Sequence, residues 1–367
     1  LPRPGRIREL LALVSRLHAQ RLDRSRPLWE CYLIEGIEGN RFAIYTKIHH
    51  ALVDGVAGAR LVASRQATQN TEKLPPPWSS LWDERQPKKE KPVSPPALSL
   101  VQTARGIGRG TLQVIDILQL PKEGNAKTIY QAPRTIINKP VTGARRFAAQ
   151  SWSLPRIKRV GKRLGATVND IFLAMCAGAL REYLFAVNAL PDQPLVAHVP
   201  VSLRSIDEAE SGGNAVTVVH VNLGTHLADP VARLQVIRES MQAAKTRLGS
   251  MTKLEINTYT AITSTPLVLG QSLRLAGHPP PVFNVVISNV PGPKQTLYCH
   301  GAEMLANYPV SLVWHGYALN ITVQGYRDNL EVGLLACRNT VPRVQKMLDY
   351  LEKSLCELEA LATQEVG

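Results

Sequence analysis

Residues 41–55 read RFAIYTKIHHALVDG, and the fold and the chemistry both turn on this stretch. Residues 41–48 form the second strand of a hairpin. Its partner strand covers residues 30–37, and the turn lies over Glu38-Gly39-Asn40. The strand ends at His49 and His50, and a helix opens near Asp54-Gly55. A side chain presented where a strand gives way to a loop is well placed for catalysis.

Working outward, residues 5–22 carry Ile7, Leu10, Leu11, Val14 and Leu17 at helical spacing and predict an amphipathic helix. Residues 67–97 turn to Pro, Ser, Lys and Glu, a Pro-stiffened connection. A second amphipathic segment covers 98–120, and 121–142 reads as a further linker. Strands are predicted at 145–153, 194–202, 215–223 and 283–289, with a hairpin over 317–337. Helices are predicted at 167–187, 230–248 and 342–362. Thr167 with Asp170 three residues on has the spacing of a capping box. Strands and helices alternate in both halves, which predicts an α/β layered architecture.

The chain has 367 residues with 43 Lys+Arg against 29 Asp+Glu, a formal charge of +14. Most of that surplus sits in residues 83–163, with 17 basic and 5 acidic side chains. An acidic partner is implied there: nucleic acid, an anionic membrane or a phosphate-bearing substrate. A solvated basic linker is the plainer account. Five scattered cysteines, odd in number and without paired spacing, point to reduced thiols in a cytoplasm. The longest apolar run, Ile171 to Leu180, is too short to span a bilayer. The chain starts at Leu1 with neither initiator Met nor signal peptide, as expected of a fragment or processed piece.

Residues 49–55 carry the candidate chemistry. A histidine titrates near neutral pH and can take a proton from a hydroxyl and return it to a leaving group. His49 at a strand end also fits a packed core histidine, and Asp54 also fits a helix cap. Two adjacent histidines on a strand project to opposite sides and seldom share one ion. His18, His198, His220, His226, His278, His300 and His315 show no metal-binding spacing, so no metal is expected.

HHALVDG resembles the HHxxxDG signature of the CoA-dependent acyltransferase superfamily, which includes chloramphenicol acetyltransferase and peptide-synthetase condensation domains. Three further strings narrow the resemblance: Pro27-Leu28-Trp29, Asn169-Asp170 and Ser288-Asn289-Val290-Pro291-Gly292-Pro293. In this order, over essentially the whole chain, they look like the bacterial bifunctional wax ester synthase/acyl-CoA:diacylglycerol acyltransferases. The resemblance implies two chloramphenicol-acetyltransferase-like halves with the active site in a tunnel between them. Residues 1–121 are then the half carrying HHxxxDG, 122–142 a linker and 143–367 the second half. Family members carry about ninety further residues ahead of the point where this chain starts, and these supply the first strands of that half.

By that resemblance, a fatty alcohol or diacylglycerol attacks the thioester carbonyl of a fatty acyl-CoA, with no covalent acyl-enzyme and no cofactor. His50 matches the general base and His49 supports it. Asp54 is structural and is expected to pair with Arg204. Asn169 is expected to orient the acceptor or to donate to the oxyanion. Gly55, Asp170, Ser288 and Asn289 are expected to line the substrate, while Pro27, Leu28, Trp29, Pro291 and Gly292 are expected to support the cleft. The absence of a GxSxG elbow agrees with a direct mechanism.

The implied setting is cytoplasmic, peripheral to the inner membrane or to lipid inclusions. There the apolar residues of 98–120, flanked by Lys and Arg, resemble an interfacial helix. CoA phosphates are a compatible second target for the basic stretch. Nucleic acid is not expected, because aromatic interleaving is sparse. Two alternatives remain: a condensation-type acyltransferase of peptide synthesis, and an inactive lipid-surface-binding protein.

Overall fold

The computed structural model describes residues 1–52, 58–59, 63, 66–70, 108–109, 111–112, 132–202, 216–272 and 281–364. The linker 67–97 and the segment 98–120 therefore lie almost wholly outside the described residues, whereas 121–142 is described from residue 132, where a single 3-10 turn at Ile136–Asn138 packs with Ile137 and Asn138 buried.

The chain opens with helix α1 (Ile7–Ala19), whose Glu9 carboxylate accepts the backbone N–H of Arg6. Strands β1 (Trp29–Ile37) and β2 (Arg41–Ile48) form an antiparallel hairpin with Trp29 opposite Ile48. Gly39 and Asn40 take φ of 80° and 54°, the left-handed pair that a tight hairpin turn requires.

A six-stranded mixed sheet forms the centre. It is built from β3 (Arg145–Ser153), β4 (Val196–Ser202), β5 (Val216–Asn222), β6 (Val285–Val290), β9 (Leu319–Tyr326) and β10 (Asn329–Cys337), in the order β3-β10-β9-β6-β4-β5. β6 runs parallel to both neighbours, β4 and β9, and the other pairs are antiparallel. Two short strands, β7 (Tyr298–Cys299) and β8 (Ala302–Glu303), make a separate small hairpin.

Helices α2 (Leu154–Arg163), α3 (Val168–Ala186), α4 (Pro230–Gly249) and α6 (Lys346–Gln364) cover one face of the sheet. The large core lies between them, and α3 is nearly all buried from Asp170 to Leu180. Buried side chains of one strand parity, such as Val285 and Ile287 on β6 and Leu319, Ile321 and Val323 on β9, meet the helices there. The opposite parity faces a second layer. Part of that layer is α5 (Lys253–Ser272), with Tyr259 near Phe283 and Val286. The rest is α1 and the β1–β2 hairpin, with Val14, Ile34 and Tyr45 against Phe147, Ala149 and Leu335.

Two helices differ from the sequence reading. In α2, five cations among ten residues leave Leu154, Ile157, Val160 and the flanking Leu164 as a short apolar stripe. In α5, β-branched Thr and Ile dilute the helical signal and Pro266 interrupts it. Both helices form because the sheet supplies a surface to bury against.

Candidate active site

β2 presents the two histidines differently. His49 extends the ladder by one bond, its N–H donating to Leu28 O at 2.9 Å. Its carbonyl then accepts Leu52 N–H at 2.9 Å, and its Nδ1 accepts Ala51 N–H at 3.2 Å. With Nδ1 an acceptor, a neutral His49 ring carries its proton on Nε2. His49 is thus half-buried and turned back onto its own loop, while His50 is exposed at the turn. Pro27-Leu28-Trp29 backs this turn through its main chain. Of its side chains, Leu28 is half-buried and Pro27 and Trp29 are exposed.

The strand end is anchored by Lys47, which the sequence reading passed over. Lys47 is buried, and its ammonium lies 2.8 Å from a Glu30 carboxylate oxygen. It also donates to Leu17 O at 3.2 Å and Gln20 O at 3.0 Å, carbonyls at the C-terminal end of α1, where the helix dipole favours a cation. Lys47 holds Glu30 below the usual carboxylate range through their hydrogen bond. The available signal was parity: Lys47 shares its strand face with the buried Tyr45.

A second pair of strings meets at the start of α3. Asn289, exposed near the end of β6, donates from Nδ2 to Asn169 Oδ1 at 3.4 Å across 120 residues of sequence. Asn169 thereby spends its carbonyl on Asn289 and keeps its NH₂ group to donate.

Asp170 does something else. Its Oδ2 accepts Thr167 N–H at 2.9 Å and Thr167 Oγ1–H at 2.7 Å, while Thr167 Oγ1 accepts Asp170 N–H at 3.2 Å. That closes the capping box: the buried carboxylate is committed to the helix start.

Ser288 is half-buried on β6 opposite Thr322. Gly292 is required by a close backbone approach, since a Cβ there would lie 1.8 Å from Gly325 O. Pro293 O accepts Arg327 N–H at 2.9 Å, which ties the turn to β9.

Asp54, Gly55 and Arg204, and with them the expected Asp54–Arg204 pair, lie outside the described residues. Among the described residues, no hydrogen bond joins His50 to Asn169 or Asn289. The two sets of strings are each assembled internally.

One further cluster was not read from sequence. His198 on β4 and His220 on β5 are direct cross-strand partners, with Nδ1 of the first 3.4 Å from Nε2 of the second. Phe283 stacks on His198 at 4.3 Å between ring centroids, and Tyr317 on Phe283 at 4.0 Å. Burial pushes His198 down to about 3, helped by the charge of His220, and pushes His220 down to about 4. Both are neutral at physiological pH. Their signal lies in strand register, which local spacing does not carry.

Known proteins resemble this chain throughout. Residues 1–172 match the family model described as the wax ester synthase/diacylglycerol acyltransferase catalytic domain, and residues 212–359 match the WS/DGAT C-terminal domain. The O-acyltransferase WSD of Acinetobacter baylyi is 44% identical over 100% of this chain and 80% of its own length. A putative diacylglycerol O-acyltransferase of Mycobacterium tuberculosis is 47% identical over 98% of this chain and 80% of its own. Among solved structures, the wax ester synthase/diacylglycerol acyltransferase from Marinobacter aquaeolei VT8 is similar with a TM-score of 0.75 and 40% identity, covering 99% of this chain and 78% of that one. The first condensation domain of the calcium-dependent antibiotic synthetase matches with a TM-score of 0.53 at 16% identity, covering 98% and 76%, a likeness of fold alone.

Proposed function

The chain belongs to the wax ester synthase/diacylglycerol acyltransferase family and is an O-acyltransferase, and on that premise we propose that His50 is its general base. The observation that carries this assignment is the division of labour at the end of β2. His49 closes the turn with its own Nδ1, which leaves the adjacent imidazole of His50 exposed and unengaged by that turn.

The reaction starts from a fatty acyl-CoA and the hydroxyl of a long-chain alcohol or a diacylglycerol. A hydroxyl is a weak nucleophile at neutral pH. His50 accepts its proton as the oxygen forms a bond to the thioester carbonyl carbon. The carbonyl oxygen becomes an oxyanion, and the Asn169 NH₂, oriented by Asn289, donates to it. Collapse re-forms the carbonyl and breaks the carbon–sulfur bond. The CoA thiolate takes the proton from the His50 imidazolium, so an ester and free CoA leave and the histidine is neutral again. The thioester already supplies the activated acyl group, so this scheme uses no cofactor and no acyl-enzyme.

Among the described residues, no helix is long and apolar enough to cross a membrane. The basic surplus in residues 83–163 supports a peripheral position on the cytoplasmic side of a membrane or on a lipid inclusion, where water-insoluble acceptors are found.

The test is ester formation from a long-chain acyl-CoA with a fatty alcohol and with a diacylglycerol. His50→Ala should lower kcat by about 10²–10⁴-fold. Asn169→Ala should lower it by about 10²–10³-fold with KM little changed. Undiminished turnover in the His50 variant refutes the base assignment. An acylated protein trapped in a single turnover refutes the direct mechanism.

A further inference from the structure

A groove of about 680 Å³ lies between the start of α3 and one face of α4. One wall is the turn leading into α3, with Gly165, Thr167 and Asp170. The other includes Gln235, Arg238 and Lys245. These α4 residues lie on one helix face, and the lining from 235 to 246 runs along about 16 Å of helix. Asn169 sits in the first turn of α3 between two lining residues, Thr167 and Asp170, although it does not itself line the groove.

The charges around the groove are unbalanced in use. Its two carboxylates are engaged: Asp170 in the capping box and Glu239 accepting Gln235 Nε2–H at 2.7 Å. Arg238 and Lys245 have no carboxylate within salt-bridge distance among the described residues. Gly165 holds a left-handed φ of 59° next to the Arg238 guanidinium. The adjoining α2 contains no acidic residue and exposes Lys158, Arg159, Lys162 and Arg163. A polar groove rimmed by Arg238 and Lys245 suits the end of a substrate that carries phosphates.

We propose that this groove binds the phosphate-bearing nucleotide end of the acyl-CoA, with Arg238 and Lys245 as phosphate contacts and the pantetheine arm leading to Asn169. This rests on the acyl-CoA reading above.

The closing experiment compares acyl-CoA with acyl-pantetheine of the same chain length, which carries the thioester without the nucleotide. The ratio of their kcat/KM values should fall about tenfold or more in Arg238→Glu/Lys245→Glu, with a smaller fall in Arg238→Gln/Lys245→Gln. The Kd of CoA itself, read by calorimetry, should rise by the same factor. An unchanged ratio or an unchanged CoA Kd overturns the proposal. Loss of binding to phosphatidylglycerol vesicles with the ratio intact also overturns it, because the cations would then serve lipid headgroups. A wild-type chain that consumes neither thioester refutes acyl transfer instead, and calorimetry with CoA still decides the groove.

Discussion

Replacing Lys47 by methionine tests how the strand that carries the histidines is held. Methionine keeps most of the aliphatic stem and removes the ammonium. Three partners lose their donor at once: the Glu30 carboxylate at 2.8 Å and the carbonyls of Leu17 and Gln20 at 3.2 and 3.0 Å. Breaking one side of a buried ion pair costs about 3–5 kcal/mol. Glu30 stays 32% exposed, so water recovers part of that loss, whereas Lys47 at 9% is the desolvated member. The expected cost is therefore at the lower end, about 3 kcal/mol.

Glu30→Gln leaves both helix carbonyls paired and keeps an amide oxygen to accept from the ammonium, so it should cost less, about 1.5 kcal/mol, the lower end for a hydrogen bond to a charged group. Native-state hydrogen exchange at the amides of β1 and β2, including His49 N–H, reads the local opening free energy directly. Equal losses in the two variants, or protection in Lys47→Met within about 0.5 kcal/mol of wild type, would refute the anchoring argument.

The half-buried histidine pair makes the sheet acid-labile. In the unfolded chain His198 and His220 take up protons as pH falls below about 6.5, while the folded chain holds them neutral down to about 3 and about 4. Their contribution is therefore complete above pH 6.5 and is lost progressively as pH falls, down to about 4 for His220 and about 3 for His198. Equilibrium unfolding against pH should show a shallower slope in His220→Phe, and an identical slope would rule the pair out as the cause. At the Pro291-Gly292-Pro293 turn, Gly292→Ala places a methyl 1.8 Å from Gly325 O, so the backbone of one strand must move. Soluble yield and acyl transfer should fall together, and a fully active, normally folded variant would contradict the packing described.

Where the sequence was readable, the physics was local. The hairpin predicted at 30–37 and 41–48 is observed at 29–37 and 41–48, because its turn chemistry and strand pattern lie within twenty residues. The helix predicted over 167–187 is observed at 168–186, since the capping box marks its start. What escaped depended on distant partners. Helix α2 is a run of cations until the sheet and α6 lie beside it, where Arg156 reaches Glu352 and Glu359. The pairing of Asn169 with Asn289 and of His198 with His220 depends on sheet order, and β6 is placed between β4 and β9 only in the finished fold. Each motif string was visible singly, and their mutual placement was not.

The bond between Asn289 and Asn169 has a consequence for exchanging parts between relatives. Asn169 falls in the segment matching the catalytic family model and Asn289 in the segment matching the C-terminal one. β3 falls in the first segment too, yet it zips onto β10 of the second from Arg145–Cys337 to Ser153–Asn329. A chimera spliced between residues 172 and 212 would therefore cut through one sheet, and the recombined halves would have to match along the β3–β10 seam and at the asparagine pair together. A crossover placed before β3 keeps the sheet whole and leaves α1 and the hairpin as the exchangeable unit.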